Sequence, residues 1–265
     1  MTFPDNMTRL YSGEEAIRTE SLRRTGKIPD LAAHLYMIEQ AMNLLHGLLP
    51  EKGNPDGDQL TLGNLGIRCF NALASCVKLS LSGYYQAAAI HIRDVLEVAF
   101  LLDHFTSDRT LVTQWRTGSD RDRKKQFSPL AIRQALDDRD QFTGQKRKAA
   151  YEQLCKLAGH ATPEGAVMLA PNPSEKTVHC GPFLEITALQ AVLSEAALTA
   201  VQAAGSFQLL MNADDVEAHG VRLAFMHAEA DWLKRFFGQE PDHAYLAELR
   251  DLYAKAQQQE RASGG

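Results

Sequence analysis

The stretch YYQAAAIHIRDVLEVAFLLDHF, residues 84–105, decides the fold class of this chain. Fifteen of its 22 residues are apolar, and they occupy every side of a helical wheel. A helix that is apolar all round is one that other protein segments surround. The stretch therefore predicts a central helix inside a helical domain.

Helical periodicity continues on both sides of this stretch. Apolar residues recur at three- and four-residue steps over five further segments, which are residues 30–49, 63–82, 183–212, 216–237 and 243–258. Shorter charged helices are predicted between residues 108 and 157, and no run alternates between apolar and polar residues as a strand does. We therefore predict an all-α fold, an irregular multi-helix bundle of about seven to nine helices.

The chain is predicted to form one main domain. Residues 1–29 have little apolar periodicity and are predicted to be an N-terminal arm. Residues 30–265 contain no detectable repeat and no long linker, which favours a single helical domain. Within it, the basic segment 109–148 is a candidate protruding subregion.

Composition narrows the function classes. The chain has 265 residues, 45% of them hydrophobic, and a formal net charge of −5, which is typical of a soluble globular protein without a general attraction to nucleic acid or membranes. The start MTFPDNMTRL lacks a signal-peptide pattern, and the uncharged stretch 196–213 is diluted by polar residues, so we expect a buried helix and a cytoplasmic protein without a membrane partner.

Familiar catalytic and metal motifs are missing from the sequence. It contains no GxSxG, no P-loop or Rossmann glycine pattern, no HExxH, no paired ExxH and no CxxC. Cys69 and Cys76 lie seven residues apart on one helix face, where we interpret them as small buried hydrophobes rather than as metal or redox groups. We predict no cofactor and no metal, and whether the protein is an enzyme stays open.

Four charged or titratable residues of the central stretch need partners. Arg93 and Glu97 are four residues apart and share a helix face, whereas His91 and Asp94 are three apart on the neighbouring strip. Their apolar flanks predict partial burial. An Arg–carboxylate pair there is either an internal strut or the polar floor of a cleft. His91 with Asp94 is a candidate general base pair, or a pair of metal ligands.

A second polar place is the stretch YEQLCKLAGHATPEG, residues 151–165. Gly159 is predicted to be the left-handed residue after a helix, and Thr162-Pro163 to begin the next helix, so that His160 lies in a tight junction. His160 is then either a positioned functional group or a loop histidine bonded to a carbonyl. The predicted polar cleft consists of Tyr84, His91, Arg93, Asp94, Glu97, Tyr151 and His160.

Together these motifs resemble a loose group of uncharacterised bacterial all-helical proteins. The group has an Arg-x-x-x-Glu on a central helix after a Gly-aromatic-x-x-Ala start, and a later Tyr-x-x-Leu followed by a histidine. The matching residues here are Gly83, Tyr84, Ala87, Arg93, Glu97, Tyr151, Leu154 and His160, within about a third of the chain. The resemblance implies a helical fold and a bacterial origin; the group has no established activity.

Some of these proteins are similar to distant relatives of the HEPN ribonuclease and nucleotide-binding superfamily. The mark of that superfamily is an arginine followed by a histidine after four to six residues, and the run from Arg222 to His227 has this spacing. The resemblance implies a ribonuclease of phage defence or of a toxin system, with Arg222 and His227 as its catalytic residues.

Charge is unevenly distributed along the chain. Residues 109–148 contain eleven Lys or Arg and five Asp, whereas residues 211–251 contain four Lys or Arg and nine Asp or Glu. These segments are either two solvated helical faces, or surfaces for weak nucleic-acid binding or for the acidic end of a second copy. The candidate nucleic-acid contacts are Arg121, Arg123, Lys124, Lys125, Lys146, Arg147 and Lys148.

These patterns favour a bacterial cytosolic protein that binds a ligand or partner in a polar cleft on its central helix. The partner is predicted to be a small molecule or a protein, and the chain itself to form a homodimer. The ribonuclease is the alternative. The two hypotheses differ in geometry, because the nuclease needs Arg222 and His227 together in an exposed groove, whereas the binding protein needs Arg93, Glu97 and His160 to converge.

Overall fold

A computed structural model describes residues 4–49, 55–171 and 178–263. Within these ranges the protein has eleven α-helices, one 3₁₀ helix and one π turn, and it has no β-strand. The α-helices are α1 Asp5–Thr25, α2 Pro29–Gly47, α3 Gly57–Leu81, α4 Tyr85–Ser107, α5 Thr110–Thr117, α6 Asp120–Gln126, α7 Pro129–Asp140, α8 Lys146–Leu154, α9 Ile186–Leu210, α10 Val216–Phe237 and α11 His243–Ser263. The π turn is Cys155–Gly159, and the 3₁₀ helix is Glu164–Leu169.

The all-α prediction is confirmed, but the predicted number of helices is too low. The charged region after α4 divides into four short helices, because new helix starts follow one another closely. Ser119 caps α6 by accepting a hydrogen bond from the Asp122 amide, and Ser128 caps α7 in the same way from the Ala131 amide. A search for apolar residues that recur over many turns does not detect a short helix that begins at its own cap.

The segment predicted to be an N-terminal arm forms the 21-residue helix α1. Ion pairs between its own residues stabilise this helix, because Glu20 pairs with both Arg23 and Arg24, three and four residues further on. Glu14 ties α1 to the main body by accepting a hydrogen bond from the Tyr84 hydroxyl, with 2.7 Å between the oxygens. A helix held by such pairs needs little apolar periodicity.

Helices α4 and α9 lie side by side at the centre of the bundle. Helix α9 packs against α2, α3 and α4, while α4 also touches α5, α7, α8, the π turn and the 3₁₀ helix. Ala196, Ala200 and Ala204 of α9 are fully buried, which lets these neighbours approach closely. By length and composition, α9 is also the one helix of the described chain that could cross a membrane.

Two details of the core agree with the sequence interpretation. Cys69 and Cys76 are fully buried free thiols, and burial raises the pKa of each to about 12, so neither is a ready nucleophile or metal ligand. Gly83 separates α3 from α4 with φ of 84°, and a Cβ atom there would overlap the Phe183 carbonyl. Only glycine fits this break without strain.

A cleft of about 240 Å³ lies between α10 and the start of α11. Its acidic lining consists of Glu229, Glu240 and Asp242, of which Glu240 pairs with Lys234 and Asp242 accepts the Tyr245 amide. Burial raises the pKa of Glu229 from 4.5 to about 7. The folded protein therefore favours the protonated form of this carboxyl group.

Glu229 should make stability depend on pH in a defined direction. Its raised pKa gives a stabilising contribution that is complete below about pH 4.5 and is lost as the pH rises through about 7. We expect Glu229→Gln to be more stable than the wild type by about 1–3 kcal/mol at about pH 8, and the gap to close near pH 5. Urea unfolding at both pH values measures this. Glu240→Gln is the control, and an equal response of the two variants would contradict the assignment.

Two helix glycines should respond oppositely to alanine. A Cβ atom at Gly66 would lie 2.7 Å from the buried Phe207 ring, whereas nothing lies within 4 Å of one at Gly205. Overpacking predicts that Gly66→Ala lowers the free energy of unfolding by about 1–3 kcal/mol. Better helix propensity predicts that Gly205→Ala raises it by up to about 1 kcal/mol. Urea titrations of the two variants should therefore give changes of opposite sign.

Candidate functional site

Helix α4 brings Arg93 and Glu97 together on one face. Nη2 of Arg93 donates to Oε1 of Glu97 at 2.6 Å, one helical turn away. The two side chains are 26% and 28% exposed, so the pair is half-buried and only partly screened by water. The sequence prediction that Arg93 pairs with a carboxylate is confirmed.

Tyr151 of α8 completes this cluster from the opposite side. Its hydroxyl donates to the same Oε1 atom of Glu97 at 2.8 Å, and the Arg93 guanidinium carbon lies 5.7 Å from its ring centroid. Burial and the Glu97 acceptor raise the pKa of Tyr151. The phenol therefore stays protonated, and Arg93 stays charged because the nearby Tyr151 and Glu97 oxygens outweigh its burial and raise its pKa.

Gly159 contributes to the cluster in a way that the sequence did not predict. Its φ is not positive, so the prediction of a left-handed residue after the helix is wrong. The chain instead continues from α8 into the π turn, where the His160 amide donates to the Cys155 carbonyl five residues back at 3.0 Å. This turn sets the Gly159 backbone against Arg93, and a Cβ atom there would lie 3.1 Å from Arg93 Cδ.

Arg133 of α7 is a member of the cluster that the sequence interpretation missed. The residue is only 7% exposed, and its guanidinium carbon lies 4.2 Å from the Tyr151 ring centroid. Arg133 is one of the eleven cations of the basic segment, and the charge count alone does not distinguish it from the solvated ones. The sequence does indicate that Arg133 is buried, because it lies on the same side of a helical wheel as the apolar Ile132 and Leu136, which are both buried.

A cleft of about 250 Å³ opens beside this cluster, between α3, α4, α5 and α7. We call it the α4 cleft. Its charged lining residues are Arg68, Asp94 and Glu97. Most of its remaining wall is apolar and consists of Leu65, Val98, Phe100, Leu101, Trp115, Phe127, Pro129 and Ile132.

The charged residues of the α4 cleft are partly held in place by one another. Arg68 donates to Asp94 from both Nη2, at 2.6 Å, and Nε, at 3.1 Å. Glu97 is fixed through its Oε1 atom by Arg93 and Tyr151. The cleft therefore presents carboxylates of defined orientation beside an apolar wall, the usual composition of a small-molecule site.

The predicted cleft residues are thus only partly brought together. Arg93, Glu97 and Tyr151 converge, and Asp94 lines the α4 cleft beside them. Asp94 pairs with Arg68 of α3, and no hydrogen bond joins it to His91. Among the described residues no group of three His, Cys, Asp or Glu side chains could hold a metal ion.

Two other predicted residues lie apart from this cluster. The Tyr84 hydroxyl bonds Glu14 of α1, and burial together with this acceptor raises its pKa to about 12. His160 is exposed, and its side chain forms no hydrogen bond with Arg93, Glu97 or Tyr151. The junction around His160 is therefore built by its backbone, which closes the π turn.

No family model, no curated protein and no solved structure matches this chain. The resemblances to the bacterial helical group and to the HEPN superfamily therefore stay predictions.

The two residues of the ribonuclease alternative, Arg222 and His227, each bond to other groups. Arg222 donates to the backbone carbonyls of Ala213, at 2.6 Å, and Met211, at 3.2 Å, and is half-buried in that role. His227 accepts a hydrogen bond from Arg250 of α11 at 3.3 Å.

The basic segment is partly neutralised by carboxylates around it. Several of its arginines form ion pairs, among them Arg123 with Asp120 and Arg147 with Asp137. The exposed candidates for nucleic-acid contact are Arg121, Lys124 and Lys125 on α6, and Lys146 and Lys148 on α8. Weak nucleic-acid binding stays a prediction that depends on these five cations.

Arg93 and Glu97 should be energetically coupled. Removing one partner leaves the other half-buried and uncompensated, so we expect Arg93→Met and Glu97→Gln each to cost about 1–3 kcal/mol of unfolding free energy. The double variant should cost less than the sum, with a coupling of at least about 1 kcal/mol.

The matched control is the exposed pair of Glu15 and Arg18 on α1, whose side chains are 61% and 41% exposed. Its coupling should be much smaller than that of the α4 pair in the same urea titrations, because water screens exposed charges. Equal coupling in the two cycles would show that the α4 pair behaves as an ordinary surface pair.

Proposed function

We propose that this protein binds a small molecule in the α4 cleft. The observation that carries the proposal is the composition of the cleft, which combines a mainly apolar wall with three charged side chains. Concave sites with this mixture are where proteins hold small ligands. A ligand covering the open wall removes apolar surface from water, at a gain of roughly 25 cal/mol for each Å².

The fixed carboxylates support the proposal. Asp94 and Glu97 each accept two hydrogen bonds from donors on the protein, through Arg68 in one case and through Arg93 and Tyr151 in the other. These contacts reach the cleft from α3, α4 and α8. Binding groups that are already oriented lose little conformational entropy when a ligand arrives.

Binding is favoured over catalysis by what the cleft lacks. None of the described residues that line it is Ser, Cys, Lys or His, and its two carboxylates, Asp94 and Glu97, are already paired with Arg68 and Arg93. A volume of about 250 Å³ also suits a small molecule better than a helix of a protein partner. The cytoplasmic location, the bacterial origin and the homodimer remain predictions beside this proposal.

Trp115 provides a direct test, because it lines the cleft and Trp232 is the only other tryptophan. In a Trp232→Phe background, Trp115 fluorescence reports on the cleft alone. We expect benzamide, benzoate or benzylamine, which share a ring and differ in charge, to change that fluorescence in a saturable way. The same compounds should raise the melting temperature.

A cleft-filling variant makes the test specific. Leu101→Phe should weaken binding at least about tenfold by occupying the cleft, and Leu65→Phe on the facing helix should do the same. Leu130→Phe, on the exposed side of α7, should leave binding unchanged. Absence of any Trp115 response at millimolar compound, or equal binding to both cleft-filling variants and the wild type, would refute the proposed function.

A further inference from the structure

Two arginines beside the α4 cleft carry hydrogen-bond donors that have no acceptor. Nε of Arg93 and both Nε and Nη1 of Arg133 are fully enclosed, and none of the three has a hydrogen-bond partner. Native proteins leave few buried polar atoms unsatisfied, and those of a charged group are the most costly. Three such atoms on two neighbouring guanidinium groups therefore call for an explanation.

Both guanidinium groups face the same side chain. Their central carbons lie 5.7 Å and 4.2 Å from the Tyr151 ring centroid, for Arg93 and Arg133 respectively. The aromatic ring stabilises positive charge but supplies no acceptor for the N–H groups. Glu97 supplies the only carboxylate bonded within this group, and its Oε1 atom is already shared by Arg93 and the Tyr151 hydroxyl.

The charge balance of the group is positive. The group contains two arginines and one carboxylate, because Tyr151 is neutral and Asp137, four residues after Arg133, pairs with Arg147. One further anionic group would neutralise the excess and supply acceptors to the unpaired donors. Planar guanidinium groups recognise carboxylates and phosphates in this way.

The group is connected to the α4 cleft. Glu97 lines the cleft while touching Arg93 and Tyr151, and Ile132, the neighbour of Arg133 in the chain, forms part of the cleft wall. The Arg93 side chain is 26% exposed, and the long side chains of both arginines can rotate to meet an entering group.

We infer that Arg93 and Arg133 hold the oxyanion of the ligand, a carboxylate or a phosphate, while its apolar part occupies the α4 cleft. The inference rests on the proposed function and names the chemical class of its ligand. The ligand is a small amphiphilic anion. Glu97, whose Oε1 atom is bound by Arg93 and Tyr151, orients Arg93 and lies between the oxyanion and the cleft.

The deciding experiment compares probes with the same ring. A charge-assisted hydrogen bond changes affinity by about ten- to a hundredfold, so benzoate or phenyl phosphate should bind at least about tenfold more tightly than benzamide. The Nε–Hε NMR signals of Arg93 and Arg133 should shift on addition of the anions and stay in place with benzamide. Which anion binds more tightly distinguishes a carboxylate ligand from a phosphate ligand.

Variants assign the effect to the two arginines. Arg133→Met should reduce benzoate affinity to that of benzamide, and should leave benzamide affinity unchanged. Arg139→Met removes a positive charge from the exposed side of the same helix and should preserve the advantage of benzoate. Where Arg133→Met fails to fold, the NMR signals of the wild-type protein decide the question without a variant.

Different results would refute the oxyanion site and the ligand-binding cleft. Equal affinity for benzoate and benzamide, with no shift of the arginine signals, would overturn the oxyanion site and leave the ligand-binding cleft standing. Arginine signals that shift with inorganic phosphate or acetate, while no aromatic probe reaches Trp115, would leave the oxyanion site standing and refute the cleft. Loss of benzoate binding in Arg139→Met as well as Arg133→Met would also overturn the assignment to Arg93 and Arg133.

Discussion

Helix α4 is apolar on every side, so each of its faces has to be covered by another segment. Helices α3 and α9 cover two of them, and the short helices α5, α7 and α8 with the π turn cover most of the rest. The side chains of Arg93, Asp94 and Glu97 are only 26%, 29% and 28% exposed in this position. Arg93 pairs with Glu97 within the helix, whereas Asp94 and Glu97 also bond Arg68 of α3 and Tyr151 of α8, two of the segments that cover it.

Long-period features of the fold could be predicted from the sequence. Helices α4 and α10 have nearly the predicted bounds because their apolar spacing extends over many turns. Of the short helices between residues 110 and 154, α6 and α7 begin at local caps, and α1 carries ion pairs between successive turns, so apolar spacing could not count them. The structure has more helices than predicted because of α1 and these short helices.

The candidate site was predictable only where both partners lie on one helix. Arg93 and Glu97 are joined by helical geometry alone, which a sequence shows directly. Asp94 instead pairs with Arg68, 26 residues away, and Tyr151 meets Glu97 across 54 residues. Such pairings depend on how helices pack. The place of Arg133 beside Ile132 and Leu136 on the helical wheel indicates its burial, but its contact with Tyr151 of another helix could not be predicted.

The π turn at Cys155–Gly159 has a consequence for how this protein tolerates insertions and deletions. A π turn contains one residue more than the corresponding α-helical turn, so it offsets everything after it by about 100° around the helix axis. Deleting a single residue from the turn would restore α-helical register and rotate Gly159 away from Arg93, replacing a bare backbone with a side chain. Length changes in the segment that follows the turn would leave that contact intact. The position of Gly159 relative to α8 thus depends on this one extra residue, at a place where a Cβ atom would lie only 3.1 Å from Arg93 Cδ.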